Sequence, residues 1–460
     1  MTGVSRVATL RELLAPYCVL VFVGALVHVA ISYGPVYLLH GALALVGARL
    51  VLAVLRADLV VVALPRGVLE WSGVAFVGVY LMSWAWSVDR SHSTAYVSYL
   101  LIGVGTAVAT AALACTRAGM VRLLWLAGAI TTLQIILCLL EIWTPFRLPI
   151  SPFSEYARLF GREDKLAGIG MFGALLQQIL QSPTGFHWNP NNLAIVMVLA
   201  IAFFINLRSV VIRWIGVACA LTVIVFTASR ASLLGALVVF FVYLVVLSPR
   251  RLGVAVAILP LLVSGLWFTA QQLDRLAERL GPVASAVDAA TSLFAARAVL
   301  SDSIGIRQQL MNNSIASIRQ TSGVGVGPGG SILVQRAAGG AAAEIGSTHN
   351  FWLEIAVDGG LLALFLFVTW YASAWLSCMM AATYSRDGVF SYAGRSLACA
   401  LAGFSVALVS ASSVLYFPPM WAMFGAIIGL SRARSRGEYL KDGIEQLTPL
   451  PTGQAQGGQP

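Results

Sequence analysis

Long apolar runs separated by polar connections dominate the pattern along the chain. A helix needs about 20 consecutive apolar residues to cross a lipid bilayer. Runs of suitable length lie near residues 14–34, 36–55, 71–88, 95–115, 121–142, 190–206, 210–227, 231–248, 252–271, 350–377, 392–412 and 416–431. The pattern therefore predicts an all-α polytopic membrane protein with about twelve transmembrane helices.

Composition supports the same class. Hydrophobic residues make up 59% of the chain, charged residues only 10%, and the mean hydropathy is +0.85. One soluble core could not absorb so much apolar surface, so residues 1–442 are predicted to form one integral membrane domain. Residues 443–460 are rich in Gly, Pro and Gln and are predicted to form a disordered cytoplasmic tail.

The formal net charge of +10 is interpreted mainly as a signal of membrane topology, carried by basic residues in the short loops. In a twelve-span model the basic residues of the short loops fall on one side of the membrane, which predicts that both termini are cytoplasmic. These residues are Arg6, Arg11, Arg49, Arg56, Arg66, Arg117, Arg122, Arg208, Arg213, Arg250, Arg251, Arg386, Arg395, Arg432, Arg434, Arg436 and Lys441. The arginines form no basic domain, so no nucleic-acid partner is expected. The six cysteines lie within or at the ends of apolar runs and are interpreted as small core residues.

Two long connections, 143–189 and 272–349, fall on the outer side, and loops of that length are usually functional. The second is predicted to be helical over 273–300 and 304–320, ahead of the glycine-rich run 323–330. On a helical wheel Arg307 lies beside an apolar stripe, formed by Ile304, Met311, Ile315 and Ile318.

Two arginines are candidates for binding an anion. Arg307 adjoins the apolar stripe, and Arg230 is bracketed by mostly apolar sequence at the outer end of a predicted span. A charge in such surroundings indicates a water-filled cavity or a bound anion, although a snorkelling side chain or an interfacial anchor is the simpler alternative for each. The planar donor fork of arginine suits a diphosphate.

His349 is predicted to begin a membrane helix, with Ser347 or Thr348 as its N-cap. The positive end of that helix disfavours a proton on the imidazole, so His349 is expected to act as a base near pH 7. Asn350, Glu354 and Asp358 recur every fourth residue and share one helix face. That face should point into the bundle and bind substrate, or else form a structural polar seam.

The first outer loop enters a span through His187-Trp188-Asn189-Pro190-Asn191-Asn192. Asn-Pro is a turn signal, and Asn191 or Asn192 is a plausible helix cap. Asn189 and Asn191 are nevertheless candidates for substrate binding because of their place near the predicted cavity.

Together these motifs resemble the O-antigen ligase and Wzy-type polymerase family. The resemblance rests on residues 185–194, the Thr-Ala-Ser-Arg run 227–230, Arg307 with the run 323–328, and His349-Asn350 ahead of Gly360. It is strong over residues 180–370 and rests on topology elsewhere. The family often has a second glycine three residues after the first. Here Ala363 is the counterpart, and its small side chain should preserve helix packing.

The resemblance implies an inverting glycosyltransferase that works without metal or cofactor on the outer face of the bacterial cytoplasmic membrane. Its donor would be a polyprenyl-diphosphate-linked glycan and its acceptor another glycan or a lipid. Arg230, Arg307 and His349 would be catalytic; Asn189, Asn191, Asn350 and Glu354 would bind substrate. The sequence identifies no envelope-assembly partner.

Three interpretations stay open beside one another. The first is polymerisation of a cell-envelope polysaccharide, such as O-antigen, a teichuronic-type chain or an exopolysaccharide, and it is favoured. The second is ligation of a finished glycan to a lipid or other envelope acceptor, protein included. A transporter or flippase of lipid-linked sugars belongs to a different class, in which polar sites near mid-membrane would be expected. An envelope scaffold protein without enzymatic activity would not explain why the ionisable residues Arg230 and Glu354 lie in apolar surroundings.

Overall fold

The computed structural model describes residues 3–55, 64–162, 182–227, 229–245, 297–340, 343, 346–411 and 414–435. The predicted span at 252–271 and the tail at 443–460 lie outside this part of the chain. The described helices are α1 (Gly3–Val27), α2 (Leu38–Leu55), α3 (Gly67–Met82), α4 (Arg90–Ala114), α5 (Arg117–Trp143), α6 (Pro190–Ile205), α7 (Val210–Phe226), α8 (Arg230–Val245), α9 (Arg297–Gln320), α10 (Gly330–Ala338), α11 (Phe351–Tyr384), α12 (Gly388–Ala407) and α13 (Pro418–Ser435). Two short strands, β1 (Ser32–Tyr33) and β2 (Val36–Tyr37), pair between α1 and α2.

The described part of the chain confirms an all-α membrane protein. Helices long and apolar enough to cross a membrane are Leu38–Leu55, Gly67–Trp86, Arg90–Ala114, Arg117–Trp143, Phe351–Tyr384 and Gly388–Ala407. Shorter apolar helices are Leu14–Ala30, Pro190–Ile205, Val210–Phe226 and Arg230–Leu244. Each of these ten coincides with a predicted span, while the full number of twelve spans stays a prediction.

The helix bundle has two chemically different ends. At one end Arg117 pairs with Asp387 at 2.6 Å, and Arg432 pairs with Glu70 at 2.7 Å. These residues mark helix termini that meet, and Arg66 and Arg208 lie at the same level because Arg66 caps α3 and Arg208 approaches Gly388. We call this the basic end. The opposite end, where α3 finishes and α11 begins, is called the site end.

Helices α3 and α11 run antiparallel, and their buried aromatic side chains form part of the hydrophobic core between the two ends of the bundle. The rings of Phe76 and Phe367 lie 5.1 Å apart, and Trp370 stacks on Phe424 of α13 at 4.1 Å. These rings are buried, and their burial fixes the two helices side by side. Nearer the site end, the Tyr80 hydroxyl of α3 donates to Asp358 of α11 at 2.7 Å.

The glycine-rich segment 323–330 packs backbone to backbone against a kink in α11. Gly360 has φ +86° and ψ 175°, so the helix is interrupted there. The carbonyls of Val357 and Asp358 accept from Val326 N and Gly327 N, and Leu361 N donates to Gly323 O at 2.8 Å. Glycine is required at position 360 because the backbone there is left-handed and approaches the glycine-rich segment closely.

Replacing Gly360 by alanine is expected to destabilise the protein by about 3 kcal/mol. The added Cβ would lie 2.5 Å from two carbonyl oxygens of the glycine-rich segment, and the residue would keep its φ of +86°. The matched control is Gly78→Ala, because a Cβ on Gly78 of α3 meets nothing within 4 Å. Thermal unfolding in detergent should give a lower melting temperature for Gly360→Ala than for Gly78→Ala. Equal melting temperatures would contradict the requirement for glycine at position 360.

Helix α9 differs from its prediction. A break between residues 300 and 304 was expected, but the helix is continuous from Arg297 to Gln320; the predicted piece before residue 297 lies outside the described residues. Its most buried face is also shifted from the predicted stripe to Leu310, Ser314 and Ser317. The cause is α10, whose buried Gln335 donates to Leu310 O at 3.0 Å and to Ser314 Oγ at 3.1 Å.

Candidate functional site

The start of α11 and the end of α12 meet at the site end. Trp352, in the first turn of α11, donates through its indole nitrogen to Ser405 O in the last turn of α12 at 3.3 Å. His349 and Asn350 directly precede that turn of α11. Both residues therefore lie at the site end, near the C-terminal end of α12.

The start of α8 reaches the same level. Helices α8 and α12 cross where a Cβ on Gly235 would lie 2.6 Å from Gly403 O. Gly235 follows Arg230 by about one and a half turns, and Gly403 precedes Ser405 by two residues. Arg230 is thus brought to the site end together with His349, although the two are far apart in the sequence.

Arg230 occupies an unfavourable electrostatic position. It is the first residue of α8, directly after Ser229, whose carbonyl accepts the helical hydrogen bond from Leu233 N at 3.0 Å. A helix N-terminus carries a partial positive charge, so a cation there costs about 0.3–1 kcal/mol unless an anion is bound nearby. The arginine side chain is exposed and available to such an anion.

Arg307 on α9 adds a second positive charge at this place. Partial desolvation and the positive charge of Arg230 both lower the pKa of Arg307. The charge of Arg230 therefore acts on Arg307, and the described residues hold no carboxylate paired with either arginine. Two positive charges that repel one another, one of them at a helix N-terminus, favour the binding of an anion such as a diphosphate.

His349 lies in a strained backbone conformation ahead of α11. Its φ is +45°, in the left-handed region that residues with a Cβ rarely adopt. Conformations of this kind cost about 1–3 kcal/mol and persist where the surrounding structure enforces them, often at functional sites. The imidazole is half-buried, so it remains reachable from outside the protein.

The predicted N-cap of this helix was wrong. The helix begins at Phe351, and its cap is Asn350, whose Oδ1 accepts from Trp352 N at 3.1 Å and Leu353 N at 3.3 Å. Thr348 is buried and donates instead to Asn350 O at 3.2 Å. The side-chain oxygen of Asn350 is thus already engaged within the chain, and only its amide nitrogen could donate to a substrate.

Glu354 and Asp358 point into the protein, as predicted from their spacing. Glu354 is 5% exposed and Asp358 0%. Burial raises the pKa of the Tyr416 hydroxyl well above its ordinary value, and the negative charges of Asp358 and Glu354 add to the effect. Both carboxylates are therefore close to Tyr416 at the site end.

Asp358 fastens the glycine-rich segment and α10 to the bundle. Its two oxygens accept from the Tyr80 hydroxyl at 2.7 Å, from Gly329 N at 3.0 Å and from Ser331 N at 2.7 Å. Two of these donors lie at the start of α10, so the carboxylate also complements the positive end of that helix. Because α10 packs on α9, Asp358 indirectly holds the helix that carries Arg307.

Replacing Asp358 by asparagine is expected to lower the free energy of unfolding by about 3 kcal/mol, since an amide cannot accept from all three donors and hydrogen bonds to a charged group contribute about 1.5–3 kcal/mol each. Tyr80→Phe, which removes one donor, should cost about 1 kcal/mol. Thermal unfolding of the purified variants checks the ranking. An equal loss of stability in Asp358→Asn and Tyr80→Phe would contradict the conclusion that the Asp358 carboxylate holds several donors together.

The other face of the glycine-rich segment rests on the start of α4. Ser93 Oγ donates to Pro328 O at 2.7 Å, and His92 Nε2 lies 3.2 Å from Gly329 O. A Cβ on Gly327 would lie 2.5 Å from the side chain of Ser87. Sequence reasoning missed Tyr80, Ser93 and Tyr416, because each is a common residue type whose partner lies hundreds of positions away.

Asn189 and Asn191 form the entry to α6. Asn189 is the N-cap of this helix, where Asn191 or Asn192 had been predicted, and its Oδ1 accepts from Asn191 N at 2.8 Å. The preceding loop is held by Glu141, which accepts from Thr184 N at 2.7 Å and Gly185 N at 3.0 Å. The described contacts of the two asparagines thus explain a helix start, and their binding of substrate stays a prediction.

Within the described ranges, no group of three or more His, Cys, Asp or Glu residues is arranged to hold a metal ion. Among the described residues the six cysteines form no disulfide bond, and all but Cys219 are buried, as expected of small core residues.

Comparison with known proteins gives one family match. Residues 215–368 match the family model described as O-antigen ligase, a segment covering about a third of the chain. The segment contains Arg230, Arg307, His349, Asn350 and Glu354, and it does not include Asn189 or Asn191. No curated protein matches the chain. Residues 215–368 are therefore similar to the O-antigen ligase family.

Proposed function

We propose that the protein is a glycosyltransferase that moves a glycan from a polyprenyl-diphosphate carrier to an acceptor hydroxyl on the outer face of the bacterial cytoplasmic membrane. The family match supports a membrane glycan ligase or polymerase in general terms. The observation that supports the finer proposal is the repulsion between Arg307 and Arg230, the second of which lies at a helix N-terminus, with no described carboxylate paired with either. Such a pair is stabilised when a dianionic group lies between its members.

In this mechanism Arg230 and Arg307 hold the donor diphosphate. The acceptor hydroxyl attacks the anomeric carbon from the face opposite the diphosphate, so the new glycosidic bond has inverted configuration. The bond between the anomeric carbon and the diphosphate oxygen breaks, and the bonding electrons leave with the diphosphate. The arginines stabilise this growing negative charge.

His349 receives the proton of the attacking hydroxyl. A positioned base of this kind contributes about 10²–10⁴-fold to the rate. In this mechanism an imidazole nitrogen of His349, which directly precedes α11, accepts that proton. The imidazolium then returns the proton to solvent, and no metal or cofactor enters the cycle.

Polymerisation and ligation differ only in the acceptor. We propose polymerisation first, in which a second lipid-linked glycan supplies the hydroxyl, as for O-antigen, teichuronic-type or exopolysaccharide chains. Ligation to a lipid or other envelope acceptor is the second candidate, and the description of the matched family as O-antigen ligase favours it. Both use the same three residues.

The side of the membrane follows from the distribution of charge. Arg66, Arg117, Arg208 and Arg432 lie at the basic end, and basic loops face the cytoplasm in most membrane proteins. The site end would accordingly be extracytoplasmic, and the C-terminus, which follows α13 at the basic end, cytoplasmic.

The test is a transfer assay with purified protein and a lipid-diphosphate-linked oligosaccharide, in detergent and with EDTA. Longer lipid-linked chains would establish a polymerase. Product that forms only after a second acceptor is added would establish a ligase. Movement of intact carrier across liposomes without any new glycosidic bond would overturn the proposal in favour of a transporter.

A further inference from the structure

A cavity whose lining does not include Arg230, Arg307 or His349 opens at the site end. It has a volume of about 480 Å³, within the range of small-molecule sites. It lies between the β1–β2 turn, the start of α2, the first half of α4 and the loop around residue 161. The polar and aromatic side chains that line it are His28, Tyr37, His40, Tyr99, Arg162 and Tyr416.

Arg162 supplies the cavity with a fixed positive charge. Its guanidinium carbon lies 5.3 Å from the ring centre of Tyr37 and 5.5 Å from that of Trp188, so the group is held between two aromatic rings. One terminal nitrogen donates to Ser32 Oγ at 3.1 Å, while the buried Nε has no hydrogen-bond partner. Among the described residues no carboxylate pairs with Arg162.

The backbone holds this arginine in place. Gly34 N, in the β1–β2 turn, donates to Phe160 O at 2.7 Å. Gly161 has φ +67°, and a Cβ there would lie 3.2 Å from the Cα and N of Gly34. Only glycine allows so close an approach, and the two segments therefore present Arg162 to the cavity as a rigid unit.

Neutral polar and aromatic groups complete the wall. The ring of His28 stacks on Tyr37 at 5.6 Å with an interplanar angle of 10°, and its Nδ1 lies 3.4 Å from Nδ1 of His187. Burial lowers the pKa of His187 well below its ordinary value. Flat rings with polar edges offer stacking surfaces and hydrogen bonds to a pyranose, which has an apolar face and a rim of hydroxyls.

The cavity is also connected to the candidate active site. Tyr416 lines the cavity, its hydroxyl lies 2.7 Å from the hydroxyl of Tyr80, and Tyr80 donates to Asp358. We propose that this cavity binds an acidic sugar residue of the glycan, with its carboxylate on Arg162 and its ring against Tyr37. The identification of that glycan as the transferred substrate rests on the proposed function, but the binding itself does not.

Binding is tested with the purified full-length protein and two probes, a glucuronic-acid-containing disaccharide and its neutral glucose counterpart. Saturation-transfer NMR measures both, and Trp188, which stacks on Arg162, provides a fluorescence signal. We expect the acidic disaccharide to bind at least about tenfold more tightly, a typical effect of one charge-assisted contact. Arg162→Gln should abolish the preference, and Arg162→Lys should retain part of it, because lysine keeps the charge without the planar fork.

The matched control is Arg158→Gln, an exposed arginine four residues earlier that does not line the cavity; it should bind as the wild type does. His349→Asn should also bind normally, so a failure of catalysis and a failure of this site are distinguishable. Equal affinity for the two disaccharides, or an unchanged preference in Arg162→Gln, would overturn the proposal. Competition by inorganic phosphate or phosphatidylglycerol micelles as strong as that by the acidic disaccharide would overturn it too, in favour of a headgroup phosphate.

Discussion

Replacing His349 by asparagine is expected to reduce glycan transfer by about 10²–10⁴-fold without unfolding the protein. The loss follows from removing the base that takes the proton of the acceptor hydroxyl. Asparagine is the informative substitution because His349 has a φ of +45°, and asparagine tolerates the left-handed region better than alanine does. The measurement is the initial rate of product formation, with thermal unfolding recorded on the same preparation.

His349→Gly separates backbone strain from chemistry. Glycine adopts a positive φ without cost, so this variant should melt at the same temperature as the wild type or slightly above it. It should nevertheless be as inactive as His349→Asn. Near-normal turnover in either variant would remove His349 from the mechanism, whatever its conformation.

Replacing Arg230 or Arg307 by glutamine is expected to lower transfer at least about 100-fold. Each substitution removes one of the two positive charges that are proposed to stabilise the departing diphosphate. The same variants should be no less stable than the wild type in the absence of donor. Arg230 lowers the pKa of Arg307, and Arg230 also lies at the positive end of α8, so removing either charge relieves repulsion. Activity and stability should thus change in opposite directions.

The matched control is Arg319→Gln, which removes an exposed arginine from the last turn of the same helix, α9. It should leave both transfer and stability unchanged. Inorganic diphosphate should raise the melting temperature of the wild type and of Arg319→Gln, but much less that of Arg307→Gln. If Arg307→Gln destabilised the protein, or if diphosphate stabilised all three equally, the anion site would lie elsewhere.

Much of the fold could be predicted because lipid imposes a simple rule on sequence. The predicted spans at 121–142, 190–206 and 210–227 correspond to helices Arg117–Trp143, Pro190–Ile205 and Val210–Phe226. Apolar length alone sets such elements, since every backbone group in the bilayer must be satisfied within the segment. The positions of the helices can therefore be predicted from the sequence without knowing which helices pack against one another.

Helix caps were harder to predict, because several residues in a row could serve. At α11, Ser347, Thr348 and Asn350 all carry a suitable oxygen, and Asn350 caps the helix while Thr348 is buried and donates to its carbonyl. At α6 the cap is Asn189, and the following Pro190 fits the first helical position, where no N–H is needed. Local competition among equivalent residues decided both cases.

Parts of the site depend on contacts that no local pattern encodes. Asp358 was identified by its spacing from Glu354, but its hydrogen bond with Tyr80 joins residues that are 278 positions apart in the sequence. The cavity beside Arg162 similarly joins α1, α4 and the loop at residue 161. Arg230 and Arg307 could be singled out from the sequence because of their apolar surroundings, and their joint role in binding an anion stays a prediction.

In the proposed mechanism, the diphosphate held by Arg230 and Arg307 leaves as His349 takes the acceptor proton. The most direct measurement is phosphorus NMR of the purified protein with a lipid-diphosphate-linked oligosaccharide and EDTA, run beside chromatography of the glycan products. The proposed mechanism predicts one polyprenyl diphosphate released for each new glycosidic bond, with inverted anomeric configuration, and at least about 100-fold slower formation of both products with His349→Asn. Release of carrier diphosphate at the wild-type rate by His349→Asn, or new bonds of retained configuration, would contradict it.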